Sequence, residues 1–234
     1  MNHRRAALAR PIRTAAVALL VLLVVAQPVS AGWDRGWSAP PSQPSQTVAA
    51  DGRTVWLTHQ LPFAETPRLR VLHPAAVVEH VGLHQSNHEG ARDQRPLDSA
   101  VPWTEMPSRG RLSGPRSAAD VVVPPDEPIL SPVTGTVIRA GGYRLYCVHD
   151  DSFVVISPDA APDWEVKLLH ISGLHVEVGS RVLAGSTQLA DHATSFPFRS
   201  QVDDMTAEPS WPHTHVEVVD PSIENVGNPG SGGC

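Results

Sequence analysis

Short runs of β-branched and apolar residues alternate along this chain with clusters of Pro, Gly, Asp and Ser, and no stretch carries the spacing of an amphipathic helix. The clearest runs follow Ser117: residues 120–123, 129–140, 144–149, 152–157, 164–170, 176–182, 188–190 and 213–219. Gly141-Gly142, Asp150-Asp151 and residues 158–162 punctuate them with turn chemistry. The pattern predicts an all-β domain, an antiparallel sheet or sandwich, over residues 116–223. Upstream, runs at 54–57, 68–72 and 76–83 are separated by prolines, which predicts a small β-rich N-terminal portion. Residues 84–114 are polar and rich in Pro and Gly and read as a long loop, so residues 51–115 form the smaller unit.

The two ends differ from this pattern. Arg4, Arg5, Arg10 and Arg13 precede an unbroken apolar run at 15–26, and Val29-Ser30-Ala31 offers small residues for cleavage before Gly32. That run is shorter than the ~20 residues a membrane span needs, so residues 1–31 read as a signal peptide and the protein as exported, secreted or in the cell envelope. Residues 32–50 read as a flexible Pro/Ser-rich lead-in, and 224–234 as a Gly-rich tail. No other apolar run approaches membrane length, so no integral span is expected after cleavage.

Removing four arginines and no acids takes the net charge from −6 to about −10, which argues against nucleic acid or anionic lipid as a partner. The chain has two cysteines, Cys147 and Cys234; in an oxidising compartment they are candidates for a disulfide tying the tail to the domain.

Candidate chemistry centres on His213-Thr-His215-Val-Glu217-Val. Residues i and i+2 of a strand share a face, so His213 and His215 would project into one site. Two imidazoles from one rigid strand suit a zinc ion; a pair of surface histidines on an edge strand is the plainer alternative. No GxSxG, P-loop, Rossmann fingerprint or Cys-x-x-Cys occurs, so other large enzyme classes have no foothold.

Four pieces in order make residues 116–223 resemble the lysostaphin-type (LytM-like) zinc endopeptidases, which cleave peptides of peptidoglycan. They are Ser117-Ala-Ala-Asp-Val-Val-Val-Pro124, Pro128 to Gly141 with Gly135 read as its turn, Leu168-Leu-His-Ile171 followed by Val178-Gly-Ser-Arg-Val-Leu-Ala-Gly185, and His213-Thr-His-Val-Glu-Val218. The resemblance implies that Asp120 and His215 ligate zinc and that His170 and His213 handle protons. A zinc on three protein ligands keeps a position open for a water, whose pKa falls to roughly 7.

One departure matters. Where the family has its first histidine ligand, four residues before the aspartate, this chain has Arg116, and Ala118 replaces a glycine. A guanidinium cannot ligate a metal. His84, His88 and His192 are the candidates for a missing third ligand, and Arg116 is a candidate to pair with Asp120 instead. Other readings stay open: His170 as a core histidine, His149 and His175 as solvated side chains, Glu89 and Asp93 as loop charges, Glu217 as either orienting a ring or facing solvent. Three functions follow: a peptidoglycan-directed zinc endopeptidase, a metal-free relative that binds peptidoglycan or regulates another cell-wall hydrolase, and a structural envelope module.

Overall fold

The computed structural model describes residues 43–97, 101–111 and 113–225. The expected signal peptide, most of the lead-in, Cys234 and most of the tail lie outside the described residues. No described helix is long and apolar enough to cross a membrane.

Sixteen strands occur in chain order among the described residues. The first eight are β1 (Ser45–Val48), β2 (Thr54–Leu57), β3 (Pro62–Glu65), β4 (Arg70–Leu72), β5 (Val77–Val78), β6 (His80–His84), β7 (Arg95–Pro96) and β8 (Trp103–Glu105). Then come β9 (Ala118–Val122), β10 (Ile129–Leu130), β11 (Gly135–Leu145), β12 (His149–Pro158), β13 (Glu165–Leu174), β14 (Arg181–Val182), β15 (Gln188–Ala193) and β16 (His213–Val219). The only described helix is a 3-10 turn, Gln201–Met205.

The protein is all-β. Ten strands form one sheet with the path β14-β11-β12-β13-β16-β9-β6-β8, joined by β10 and β15; every pairing is antiparallel except β6 with β8. Two small antiparallel sheets, β1-β2-β5 and β4-β3-β7, complete it. The expected boundary near residue 115 falls inside the large sheet, because β6 and β8 from the upstream portion extend it past β9. The long loop expected over 84–114 therefore contains paired strands.

Alternation explains how this sheet carries a site. On one face Val81, Leu83, Ala119, Val121, Val154, Ile156, Val166, Leu168, Val216 and Val218 are buried in the main core. The opposite residues of the same strands, His84, Asp120, Asp151, His213, His215 and Glu217, share the other face. Every residue of β6 and β9 is buried, so this second face is also covered, by Met106, Val202 and Trp211 beside Val122.

Two turn expectations fail. Gly141-Gly142 and Asp150-Asp151 lie inside one long hairpin, β11 paired with β12 from Gly135↔Pro158 to Leu145↔His149. The turn is at 146–148, where Tyr146 and Cys147 take φ of 50° and 63°. Pairing along an eleven-residue strand overrides the local preference of Gly and Asp for turns. Gly135, read as a turn residue, instead opens β11, where a Cβ would lie 2.3 Å from the Ser157 carbonyl.

Candidate metal and proton-transfer site

Asp120 is at the centre of the site face. His215 lies directly opposite it on β16, and Gly82 opposite it on β6, which puts His84 one same-face step along. His84 Nε2 lies 3.1 Å and His215 Nδ1 2.9 Å from the same oxygen, Asp120 Oδ1. Ligand atoms of His84, Asp120 and His215 all lie within 4.8 Å of one another, compact enough for one ion. Tetrahedral zinc places its ligands about 3.4 Å apart at metal–ligand distances of about 2.1 Å.

The tautomers strengthen the case. His84 Nδ1 is 2.8 Å from the Gln85 carbonyl, which can only accept, so Nδ1 carries the proton. In a neutral ring the Nε2 lone pair then faces a carboxylate oxygen. That apposition is repulsive unless a cation, proton or metal, stands between them. Burial pushes the Asp120 carboxyl up, but His84, His213 and the hydrogen bond from His215 outweigh it and hold it well below the usual range.

Arg116 does not enter the site. Its Nε and Nη2 donate to Asp93 at 3.1 Å each, and Glu105 lies 3.9 Å from Nη1. The two other candidates for a third ligand also lie apart. His88 Nδ1 accepts from the Gly90 amide at 3.0 Å, and His192 Nδ1 donates to the Ala193 carbonyl at 3.0 Å.

Next to the triad stand His170 and His213. Their rings are 5.3 Å apart and nearly perpendicular, and His170 is 5.9 Å from the His215 ring. His213 Nε2 lies 3.9 Å from Asp120 Oδ2, and burial lowers its pKa to about 4. Burial likewise lowers the pKa of His215.

His170 is not a core histidine, and a bulge is the reason. Leu168 packs in the core, so strict alternation would send residue 170 inward as well. Instead Ser152 pairs with Ile171 and Phe153 with Leu169, leaving His170 as the extra residue, at φ 60°. The phase resets: Ile171 takes the core position and His170 turns to the site face.

Asp151, which sequence reading treated as a turn residue, fixes the ring of His170. His170 Nδ1 is 2.7 Å from Asp151 Oδ2. Tyr143 donates to that oxygen at 2.5 Å, while Thr194 Oγ1 and the Ser152 amide donate to Oδ1 at 2.8 and 2.9 Å. Burial raises the Asp151 pKa, but the bonds from His170 and Tyr143 bring it below the ordinary value. The available signal was parity: Asp151, Phe153 and Val155 alternate with core residues Val154 and Ile156. Glu217 lies on the same face, buried, accepting from Ser86 Oγ at 2.5 Å and 3.8 Å from Lys167 Nζ.

From His170 an aromatic wall runs outward. The Phe196 ring meets His170 edge-on at 5.1 Å and stacks on Phe198 at 5.1 Å. Phe198 in turn touches His149 and Tyr146 at the tip of the β11–β12 hairpin. His149 belongs to this wall, while His175 is paired with Asp191 at 2.7 Å on the surface.

No family model and no curated protein matches the chain. Solved structures do. The solution structure of lysostaphin is 18% identical with a TM-score of 0.35, over 46% of this chain and 38% of its own. A structure of LytU is 21% identical, TM-score 0.37, over 52% of this chain and 72% of its own. A zinc-containing peptidase from Vibrio cholerae is 20% identical, TM-score 0.34, over 75% of this chain and 43% of its own. These solved structures, lysostaphin among them, are what the chain is similar to.

Proposed function

We propose that this protein is an exported zinc endopeptidase of the lysostaphin type, directed at peptides of peptidoglycan, whose third metal ligand has moved to a neighbouring strand. The observation that carries this reading is the convergence of His84 with Asp120 and His215 while Arg116 is bound to Asp93. Two imidazole nitrogens and one carboxylate oxygen are a donor set suited to catalytic zinc, with one position left for substrate or water. The bond from His84 Nδ1 to the Gln85 carbonyl fixes the ring with Nε2 turned to the site.

Bound there, zinc would supply Lewis acidity toward a scissile carbonyl and make a water more acidic. The other steps belong to the chain. Asp151 holds the Nδ1 proton of His170, so His170 presents a bare Nε2, the form of a general base. His213, kept neutral by burial, can donate an N–H to the developing oxyanion. Tyr143 and Thr194 keep Asp151 from swinging away from His170.

The test is the zinc content of the 32–234 chain beside His84→Ala and His215→Ala, followed by hydrolysis of purified peptidoglycan. About one zinc per chain in the parent, lost in both variants, with release of peptide ends, is the expected result. A parent without zinc that still binds peptidoglycan would replace this reading with the metal-free one, a binding module or regulator of another hydrolase.

A further inference from the structure

The described residues contain twelve arginines: 53, 68, 70, 92, 95, 109, 111, 116, 139, 144, 181 and 199. Ten are paired with a carboxylate, and the single lysine with Glu217. The two without a carboxylate partner are Arg109 and Arg111. In a chain with so large an excess of acids, both stand on one turn beside the metal triad.

That turn is fastened to the residue next to a ligand. Gln85 Oε1 accepts from Ser108 Oγ and from the amides of Arg109 and Arg111, at 2.9, 3.0 and 3.2 Å. Gly110 supplies the left-handed step between them, at φ 69°. Arg111 Nη1 donates at 2.6 Å to the Gln85 carbonyl, the same oxygen that receives His84 Nδ1. Arg109 is held by Gln201 Oε1 at 2.6 Å. Arg111 is half-buried, and this burial, together with the charge of Arg109, disfavours its cation, while Asp120 and the Tyr146 hydroxyl favour it. Its bond to the Gln85 carbonyl sets its guanidinium beside the backbone that also anchors His84.

A partly desolvated guanidinium with a like charge two residues away is a costly arrangement until an anion joins it. Asp120 does not fill that role, since its oxygens face histidines. We propose that Arg111, supported by Arg109, forms a carboxylate-binding subsite, so that the peptide taken by this protein carries a free carboxylate beside the bond held at the metal. The planar fork of a guanidinium matches a carboxylate in two parallel hydrogen bonds, which fixes the orientation of the peptide as well as its affinity. The inference deepens the endopeptidase reading and rests on it. The carboxylate belongs either to a chain end or to an acidic side chain.

Equilibrium binding to the zinc-incubated 32–234 chain tests it with three probes: acetyl-tetraalanine with a free C-terminus, its C-terminal amide, and the amide with one Ala replaced by Glu. At least one carboxylate peptide is expected to bind about tenfold more tightly than the plain amide. Whichever does so names the source. In Arg111→Gln that advantage should shrink to within about twofold, and Arg111→Lys, which keeps charge but not the fork, should retain part of it. Equal binding of all three probes by the parent overturns the subsite. So does an advantage that persists in Arg111→Gln, as it would if the carboxylate bound the metal itself. Zinc per chain is measured on the same samples. Its absence from the parent refutes the metal reading, while the comparison of probes still decides the subsite.

Discussion

His84, Asp120 and His215 reach their places through unbroken pairing of three adjacent strands, β6, β9 and β16, whereas His170 reaches its place through a bulge and a left-handed backbone. In the first group the sheet sets direction, and any residue at those positions would point the same way. In the second, the backbone gives up one rung of pairing to turn a single side chain round. The proposed metal half of the site should thus depend on side-chain identity, and the proposed proton half on local backbone and on the bonds around Asp151.

The largest expected difference is in metal content. Asp120→Ala removes the one carboxylate shared by His84 and His215, and should abolish the proposed zinc binding and lower stability by about 3 kcal/mol, checked by elemental analysis and chemical denaturation. His84→Ala should also lose the metal. Adding Arg116→His to His84→Ala should not bring it back, because position 116 is turned to Asp93. Zinc regained by that double variant would show that the chain can use a ligand four residues before Asp120 after all, and the comparison would break.

The same contrast divides what the sequence disclosed. His213, His215, Asp120 and His170 stood in motifs, and strand parity put the first two on one face. His84 was one of three candidates, since nothing short of the β6–β9 register shows which histidine comes near Asp120. Asp151 was missed because an Asp-Asp pair reads locally as a turn, while its role depends on where an eleven-residue strand finds its partner. Arg111 belongs to no motif at all; its position depends on Gln85, twenty-six residues away. The place of His170 was visible as a conflict, two residues of equal parity with opposite destinations, but not its resolution.

Asp151→Asn comes next in size. The amide would keep the shape while weakening its hold on the His170 proton, so peptide hydrolysis should drop by about 10- to 100-fold with zinc content unchanged. Equal zinc loss in this variant would show that the two halves are one unit.

A buried histidine outside both halves gives a control on acid sensitivity. His73 packs against Phe63 at 5.3 Å, neither of its ring nitrogens has a hydrogen-bond partner, and burial lowers its pKa from 6.5 to about 3. Because the folded pKa lies below the unfolded one, the unfolded chain takes up a proton first as pH falls through 6.5. Stability is therefore complete above that value and declines toward the folded pKa. At pH 5 the loss from this residue should be about 2 kcal/mol relative to pH 7, from 1.36 kcal/mol per unit. His73→Leu, compared with the parent in denaturation at both pH values, should remove that difference while leaving both halves of the site intact.

The smallest effect isolates the backbone of the bulge. His170→Ala and His170→Gly both remove the imidazole and its bond to Asp151, which keeps Tyr143, Thr194 and the Ser152 amide as partners. They differ only in the cost of φ 60°. In an ordinary strand glycine is less stable than alanine by roughly 0.5–1 kcal/mol. At position 170 the order should invert, with glycine more stable by about 1 kcal/mol in denaturation, since a left-handed conformation costs an L-residue about that much. Both variants should have lost hydrolysis and kept zinc. Alanine equal to or better than glycine would mean that His170 is placed by its side-chain bonds alone, and that the two halves of the site are held by the same means.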